Sequence, residues 1–275
     1  MTVINNADAV YLGRTAVDRV YLGSELLWLA FRPVELFANS EQGAWYDPSD
    51  LSTLFQDAAG TVPVTADGDP VGRMLDKSRN GNHASQTVSG SRPIYRTDGT
   101  LHWLLADGVD DKMVLAALTI PSGGALRFTS FAITTTEPGK SKIISFGSGG
   151  VGEPWRIGTD TDGTVRVETQ GDNVIGTTPI NDGLPHIVTV YNTGSNLSTA
   201  VIRIDGVVDA ISSPGLSEIN TNPAGEAMLF TKEGGTEEIA GGLRGLVHVL
   251  PSQVLSEVDI NAVEFYLASL SGVTL

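Results

Sequence analysis

The sequence predicts an all-β fold: an antiparallel jelly-roll β-sandwich, preceded by a small N-terminal β-meander and closed by one C-terminal helix. Three observations predict it. From position 112 onward β-rich runs recur about every ten residues, punctuated by turn pairs such as Asp162-Gly163, Asp182-Gly183 and Asp205-Gly206. Glycine is abundant, 32 of 275 residues with 13 prolines besides, yet there is no Gly-X-Y period and no low-complexity tract; this is the composition of many tight turns. Clear helical spacing is confined to one stretch at the end, within 251–268. A chain of this length can bury a full core.

Taken in order, residues 8–31 read as three strands, near 8–12, 15–22 and 25–31. Gly13-Arg14 and Gly23-Ser24 suit two type II′ turns between them. The stretch contains a ten-residue repeat, Val10-Tyr11-Leu12-Gly13 and Val20-Tyr21-Leu22-Gly23. A sheet this small does not hold itself together and must pack on the following domain or on another chain. Residues 1–32 are therefore expected to form an attachment module, with Tyr11, Leu12, Tyr21, Leu22 and Trp28 as attachment residues. An undersized meander also invites a symmetry mate, so a homo-oligomer is expected. Arg32-Pro33 marks the boundary to a second domain, 33–275, since proline ends strand pairing.

That domain opens with Trp45 and Tyr46 in an extended segment broken by Asp47-Pro48. Leu51, Leu54 and Phe55 then suggest one apolar helical turn capped by Ser49 or Asp50. Residues 61–100 look loop-rich. Strands follow at Met113–Ile120, Leu126–Thr135, Lys142–Phe146, Trp155–Gly158, Val165–Thr169, Ile187–Tyr191, Thr199–Ile204, Ala227–Phe230 and Gly242–Leu250. After Pro251, Ser256 and Asp259 form a capping box. Val258, Ala262 and Tyr266, with Val263 and Leu267, make the helix's apolar stripe.

Charge and composition narrow the function. A net charge of −15, scattered along the chain, repels phosphate backbones and speaks against nucleic-acid binding. No stretch reaches the ~18 apolar residues that insertion into a bilayer needs. Cysteine is absent, so packing alone holds the fold. The start, MTVINNADAVYLG, has neither the basic nor the apolar region of a secretory signal.

The chemistry-bearing residues are sparse. His83, His102, His186 and His248 show no zinc-ligand spacing; His186 and His248 fall in strands, where hydrogen-bonded structural roles fit, and His83 braces its loop. No Gly-x-Ser-x-Gly elbow is present. A retaining glycosidase needs two carboxylates facing one cleft. Glu257-Val258-Asp259 lies in the helix and lacks a third carboxylate, and the neighbours Glu237 and Glu238 would point to opposite faces of a strand. The sequence therefore predicts no catalytic residues and no enzyme. Sugar binding needs an exposed aromatic platform beside planar polar groups. The candidates are Trp155, after the loop GSGGVGEP, and Tyr95 beside Arg92 and Arg96, while Trp45 and Trp103 look buried by alternation.

A family resemblance joins these pieces. The segments DKSRNGNHA (76–84), LADGVDD (105–111), PHIVTVYN (185–192) with VIRIDGVVDA (201–210), and GLRGLVHVLPSQVLSEVDINAVEFYLA (242–268) resemble the laminin-G-like, concanavalin A-type lectin/glucanase superfamily over roughly 43–270. The longer string from Gly43 to Gln86, with the VYLG repeat, resembles bacteriophage and prophage virion proteins. That likeness implies a tail-fibre, head-fibre or decoration protein, assembled in the host cytoplasm and resident in the virion. It would contact other virion proteins through residues 1–32 and display a lectin-like domain toward host-surface glycans. A carbohydrate-binding receptor adhesin and a glycan-cleaving enzyme are the alternatives. Many relatives bind calcium at the sandwich rim. Asp160 and Asp162, in Asp160-Thr161-Asp162-Gly163, are weak calcium candidates that also read as a hairpin turn; Asp107 and Asp110 read as turn residues bonded to backbone amides. Any calcium site here would be weak, roughly 10⁻⁴–10⁻³ M. No other cofactor or metal is expected.

Overall fold

The computed structural model describes residues 10–12, 15–17, 19–22, 25–29, 31–116, 119–150 and 153–275. The N-terminal strands are β1 (Val10–Leu12), β2 (Thr15–Val17), β3 (Arg19–Leu22) and β4 (Glu25–Leu29). Then come β5 (Gln42–Tyr46), β6 (Leu54–Phe55), β7 (Arg73–Met74), β8 (Ala84–Ser85), β9 (Ile94–Thr97), β10 (His102–Asp107) and β11 (Met113–Leu115). Longer strands follow: β12 (Phe128–Thr135), β13 (Ser141–Gly147), β14 (Trp155–Thr159), β15 (Thr164–Thr169), β16 (Asp172–Pro179) and β17 (Pro185–Asn192). The chain closes with β18 (Ala200–Ile204), β19 (Val207–Val208), β20 (Glu226–Leu229), β21 (Ala240–Leu250) and the helix α1 (Glu257–Ser271).

Two antiparallel sheets face each other, as the sequence predicts. One has eight strands in the order β19-β18-β17-β12-β21-β10-β9, with β5 also paired to β21; the other has nine, in the order β16-β15-β14-β13-β20-β11-β8-β7-β6. The main core lies between them and takes alternate residues of each strand. Phe131 and Ile133 of β12 point inward against Phe146, Trp155, Ile157 and Val167 of the other sheet. The intervening Phe128 and Ala132 point outward, where Ile260, Val263 and Leu267 of α1 cover them together with Trp45, Ile187 and Val247.

Local signals explain the ends of the elements. The β18–β19 hairpin turns on Asp205 (φ 49°) and Gly206 (φ 80°), two consecutive left-handed residues, the conformation for which Asp-Gly is selected in two-residue turns. Ser256 caps α1 by accepting from the Asp259 amide, and Gly272 ends it in the left-handed region. Arg203 of β18 reaches α1 and donates to both carboxylate oxygens of Glu264, at 2.8 and 2.9 Å.

Several expectations need correction. Among the described residues of 10–29 there are four short strands where three were expected, paired as β1–β2 and β3–β4; the sequence has Asp18, a poor strand former, between β2 and β3. The turns Gly13-Arg14 and Gly23-Ser24, and the side chains of Tyr11, Leu12, Tyr21, Leu22 and Trp28, lie outside the described residues. The helical turn at 51–55 is a 3-10 turn, Leu51–Thr53, capped by Asp50 and running straight into β6. Three apolar residues are too short a pattern to nucleate an α-helix. The loop-rich stretch 61–100 contains β7, β8 and β9, and β16 had no counterpart among the expected strands.

Candidate functional site

The outer face of the nine-stranded sheet carries a basin of charged side chains. Alternation builds it: Trp155 and Ile157 of β14 and Val165 and Val167 of β15 enter the core, which turns Arg156, Arg166 and Glu168 outward. Lys142 of β13 joins them from the neighbouring strand. Glu233 and Glu237 arrive from the segment between β20 and β21. Lys142 is only 1% exposed; its Nζ lies 2.8 Å from Glu237 and 3.4 Å from Glu168. Arg156 pairs with Glu233 and places Nη1 3.2 Å from both Glu168 and Gln170. Arg166 donates to Glu168 at 2.5 Å and to Asp160 at 2.9 Å.

These groups open onto a cavity of about 360 Å³, whose lining includes Arg156, Arg166, Glu168, Gln170, Asn173 and Glu237. That is the size range of small-ligand sites. Burial alone would raise the Glu168 and Glu237 carboxyls. The cations beside them outweigh it: Lys142, Arg166 and Arg156 hold Glu168 below the usual range, while Lys142 and Lys232 hold Glu237 at about 2. Both are thus ionised acceptors, Glu168 beside guanidinium donors and Glu237 beside ammonium donors, an arrangement that can bond a hydroxyl-rich ligand from both sides. Glu168 and Glu237, 69 positions apart in sequence, converge on one lysine. Sequence reading missed this. The one legible signal was outward charge alternating with valine in Thr164–Thr169; the segment supplying Glu237 has no periodic pattern.

The residues singled out from sequence are placed elsewhere. Trp155 is 0% exposed, packed in the core with the Arg127 guanidinium carbon 4.9 Å from its ring centre, so it has no face for a sugar. Tyr95 is 2% exposed and its hydroxyl is 2.6 Å from His102 Nδ1. Both are inward positions: Trp155 shares its face of β14 with Ile157, opposite Arg156, and Tyr95 lies on the face of β9 opposite Arg96. Arg92 donates to the carbonyls of Gln86 and Thr87 and ties down its own loop. Arg96 points away from Tyr95, to the outer face of the eight-stranded sheet, with Nε 3.0 Å from Asp67. Trp45 is buried beneath α1 as expected, and Trp103, expected to be buried, is on the outer face and half-buried.

Asp160 and Asp162 form the hairpin turn. Asp160 accepts from the Thr161 amide and Arg166, and Asp162 from the Thr164 amide and hydroxyl, which leaves the pair turned to protein donors rather than to one ion. Asp107, Asp110 and Asp111 bring three carboxylates within 4.8 Å of one another. Asp107 accepts the Val109 amide at 2.8 Å, as a turn residue should. His248 lies between Thr129 Oγ1 and the Thr119 carbonyl, and His186 between Asp205 and Asp182. The loop 76–84 is braced by Asp76, which accepts from the amides of Trp45, Ser78 and Asn82, with His83 Nδ1 taking the Asp76 amide.

No protein-family model and no curated protein matches the chain. Solved structures share its fold. A GH54 α-L-arabinofuranosidase superposes with a TM-score of 0.59 at 13% identity, over 87% of this chain and 65% of its own. Botulinum neurotoxin type C, from a structure describing its dependence on two ganglioside molecules to enter cells, gives 0.51 at 15%, over 83% and 52%. A Trypanosoma rangeli sialidase gives 0.51 at 11%, over 93% and 36%. The chain thus spans between about a third and two thirds of the length of these proteins. At such identities the likeness shows the β-sandwich fold. It also overturns the expectation that the chain is not an enzyme. Glycoside hydrolases are among the proteins with this fold, and the premise of that expectation, that no carboxylates converge, fails at Glu168 and Glu237.

Proposed function

We propose that this chain is a lectin-like glycan-recognition protein whose sugar site is the charged basin on the nine-stranded sheet. We further propose that it is carried on a phage virion as a fibre, spike or decoration through residues 1–32. The observation that carries the glycan reading is the convergence of ionised Glu168 and Glu237 with Arg156, Arg166, Gln170 and Asn173 around a cavity of about 360 Å³. Carboxylates accept from sugar hydroxyls, and guanidinium and amide groups donate to their oxygens. The network holds Arg156, Arg166, Glu168, Gln170 and Glu237 in place before the ligand arrives, which lowers the ordering cost of binding. The binding of gangliosides by a toxin of the same fold supports the reading. The virion setting rests on the resemblance of residues 43–86 and the VYLG repeat to virion proteins, and a homo-oligomer fits that setting.

A glycan array, run with and without calcium, tests the site. The chain should bind a defined set of glycans, and Glu237→Gln with Asn173→Ala should weaken that binding by about tenfold, the loss of one charge-assisted hydrogen bond, while the melting profile stays cooperative. An array blank under both conditions, or binding unaffected by both variants, rejects the basin as the site. Reducing-end release from the bound glycans, measured alongside, reads whether recognition is accompanied by cleavage.

A further inference from the structure

The outer face of the eight-stranded sheet carries a second arrangement that the basin does not use. Leu104 and Ala106 of β10, Tyr95 of β9 and Leu243 of β21 belong to the core between the sheets. Alternation therefore turns Trp103, Arg96, Gly242 and Arg244 outward, away from that core. Strand β10 runs between β9 and β21. Arg96 stands opposite Trp103 in register. From the other side, the Arg244 guanidinium carbon is 4.6 Å from the centre of the Trp103 ring. The result is a cross-strand row, Arg–Trp–Arg, with Leu105 beside it 38% exposed.

Two features of the row suit a ligand better than a purely structural role. First, the indole occupies the space of a missing side chain: a Cβ on Gly242 would come within 2.8 Å of Trp103 Cδ1, so glycine there seats the ring against the sheet. Second, among the described residues both arginines hold a buried donor without an acceptor, Nη1 of Arg244 and Nε of Arg96. The approach of Arg96 Nε to Asp67, 3.0 Å, lacks the alignment of a hydrogen bond. Arg244 makes no ion pair among the described residues, and its one side-chain hydrogen bond is a long 3.4 Å contact to Thr134 Oγ1. By contrast Arg203, equally part of this sheet, is saturated by Glu257, Glu264, Asn261 and the Gly206 carbonyl. Buried donors are normally satisfied, and these two have no protein acceptor among the described residues.

We infer that the row Arg96–Trp103–Arg244 is a binding site for a carboxylate-bearing sugar. The apolar face of the pyranose packs against Trp103 and Leu105, and the carboxylate is taken by the Arg244 fork, with Arg96 at the opposite rim. A planar guanidinium matches a carboxylate in two parallel hydrogen bonds, and its lack of an internal partner leaves that capacity intact. The net charge of −15 does not forbid an anionic ligand, because at physiological salt charges beyond about 8 Å are largely screened. The nearby acids are Asp67, beside Arg96, and Asp98, whose field reaches Arg244. The site lies on the opposite sheet from the basin and stands or falls separately.

The test is a calorimetric titration of the full chain with a panel of hexuronate and sialyl oligosaccharides and their methyl esters, which keep the ring and remove the charge. At least one acid should bind at least about tenfold tighter than its ester, the scale of one charge-assisted pair. Arg244→Gln should abolish that preference, and Trp103→Ala should weaken acid and ester alike. Should Trp103→Ala unfold, Trp103→Phe, which keeps an aromatic face, must retain the preference. No binding by any acid, equal binding of acid and ester, or a preference surviving Arg244→Gln each overturns the assignment.

Discussion

Asp111 shows how one residue's surroundings set a measurable property. Burial, with the charges of Asp107 and Asp110 beside it, raises its carboxyl to about 6, although the Asp107 amide donates to it. A carboxyl whose folded pKa lies above its unfolded one adds stability below the unfolded value, about 4, and loses it as pH rises through about 6. At neutral pH the charge is therefore a burden. Asp111→Asn keeps an acceptor for the Asp107 amide and removes the repulsion. Its melting temperature should rise at pH 7.5 by about 2–4 °C, the shift that 1 kcal/mol makes in a domain of this size. The gain should vanish at pH 4, where both proteins are neutral at this position. A scanning-fluorimetry series across that pH range checks it, and a loss at both ends contradicts the account. Lys142 is the counterpart in the basin: a buried cation is tolerated there because two carboxylates face it.

At the scale of elements, the lock between β18 and α1 is Arg203 with Glu264, both side chains almost wholly buried. Removing one member leaves the other charged and alone in an apolar layer. Arg203→Met should cost about 3–5 kcal/mol, read by urea denaturation. Pairing it with Glu264→Leu should recover most of that loss, because two apolar side chains pack where one orphaned carboxylate cannot. If the double variant is as weak as the single, the packing of α1 rather than the ion pair governs this contact. The Ser256 cap of α1 and the Asp205-Gly206 hairpin show the opposite case, elements whose ends are legible because the interactions are local.

For the whole molecule, both sheets of the sandwich are built from strands β5 to β21, and Phe31 packs on the layer beneath α1. A truncation beginning at Phe31 should therefore fold with a cooperative melt close to that of the full chain. On the proposed attachment role it should fail to enter virions, scored by immunoblotting of purified particles. Incorporation at the full-length level would refute attachment through the N-terminal strands. Loss of the cooperative melt would instead show that the β1–β4 ribbons support the sandwich.

The sequence by itself determined what depends on near neighbours: strands at ten-residue spacing, the Asp-Gly turns, the capped closing helix and so the antiparallel β-sandwich. What only the tertiary structure decided is which face looks inward where a strand is apolar on both. Alternation says that Trp103 and Leu105 share one side and Leu104 and Ala106 the other, yet both sides of that segment are apolar; the pairing of β10 between β9 and β21 turned Trp103 out, while Trp155 on β14 was turned in. The meeting of Glu168 with Glu237 was equally beyond reach, since it requires β13, β14 and β15 to lie side by side beneath the segment joining β20 to β21. Local interactions write periodicity into a sequence. Contacts between distant segments follow from how whole sheets stack, and leave no periodic trace.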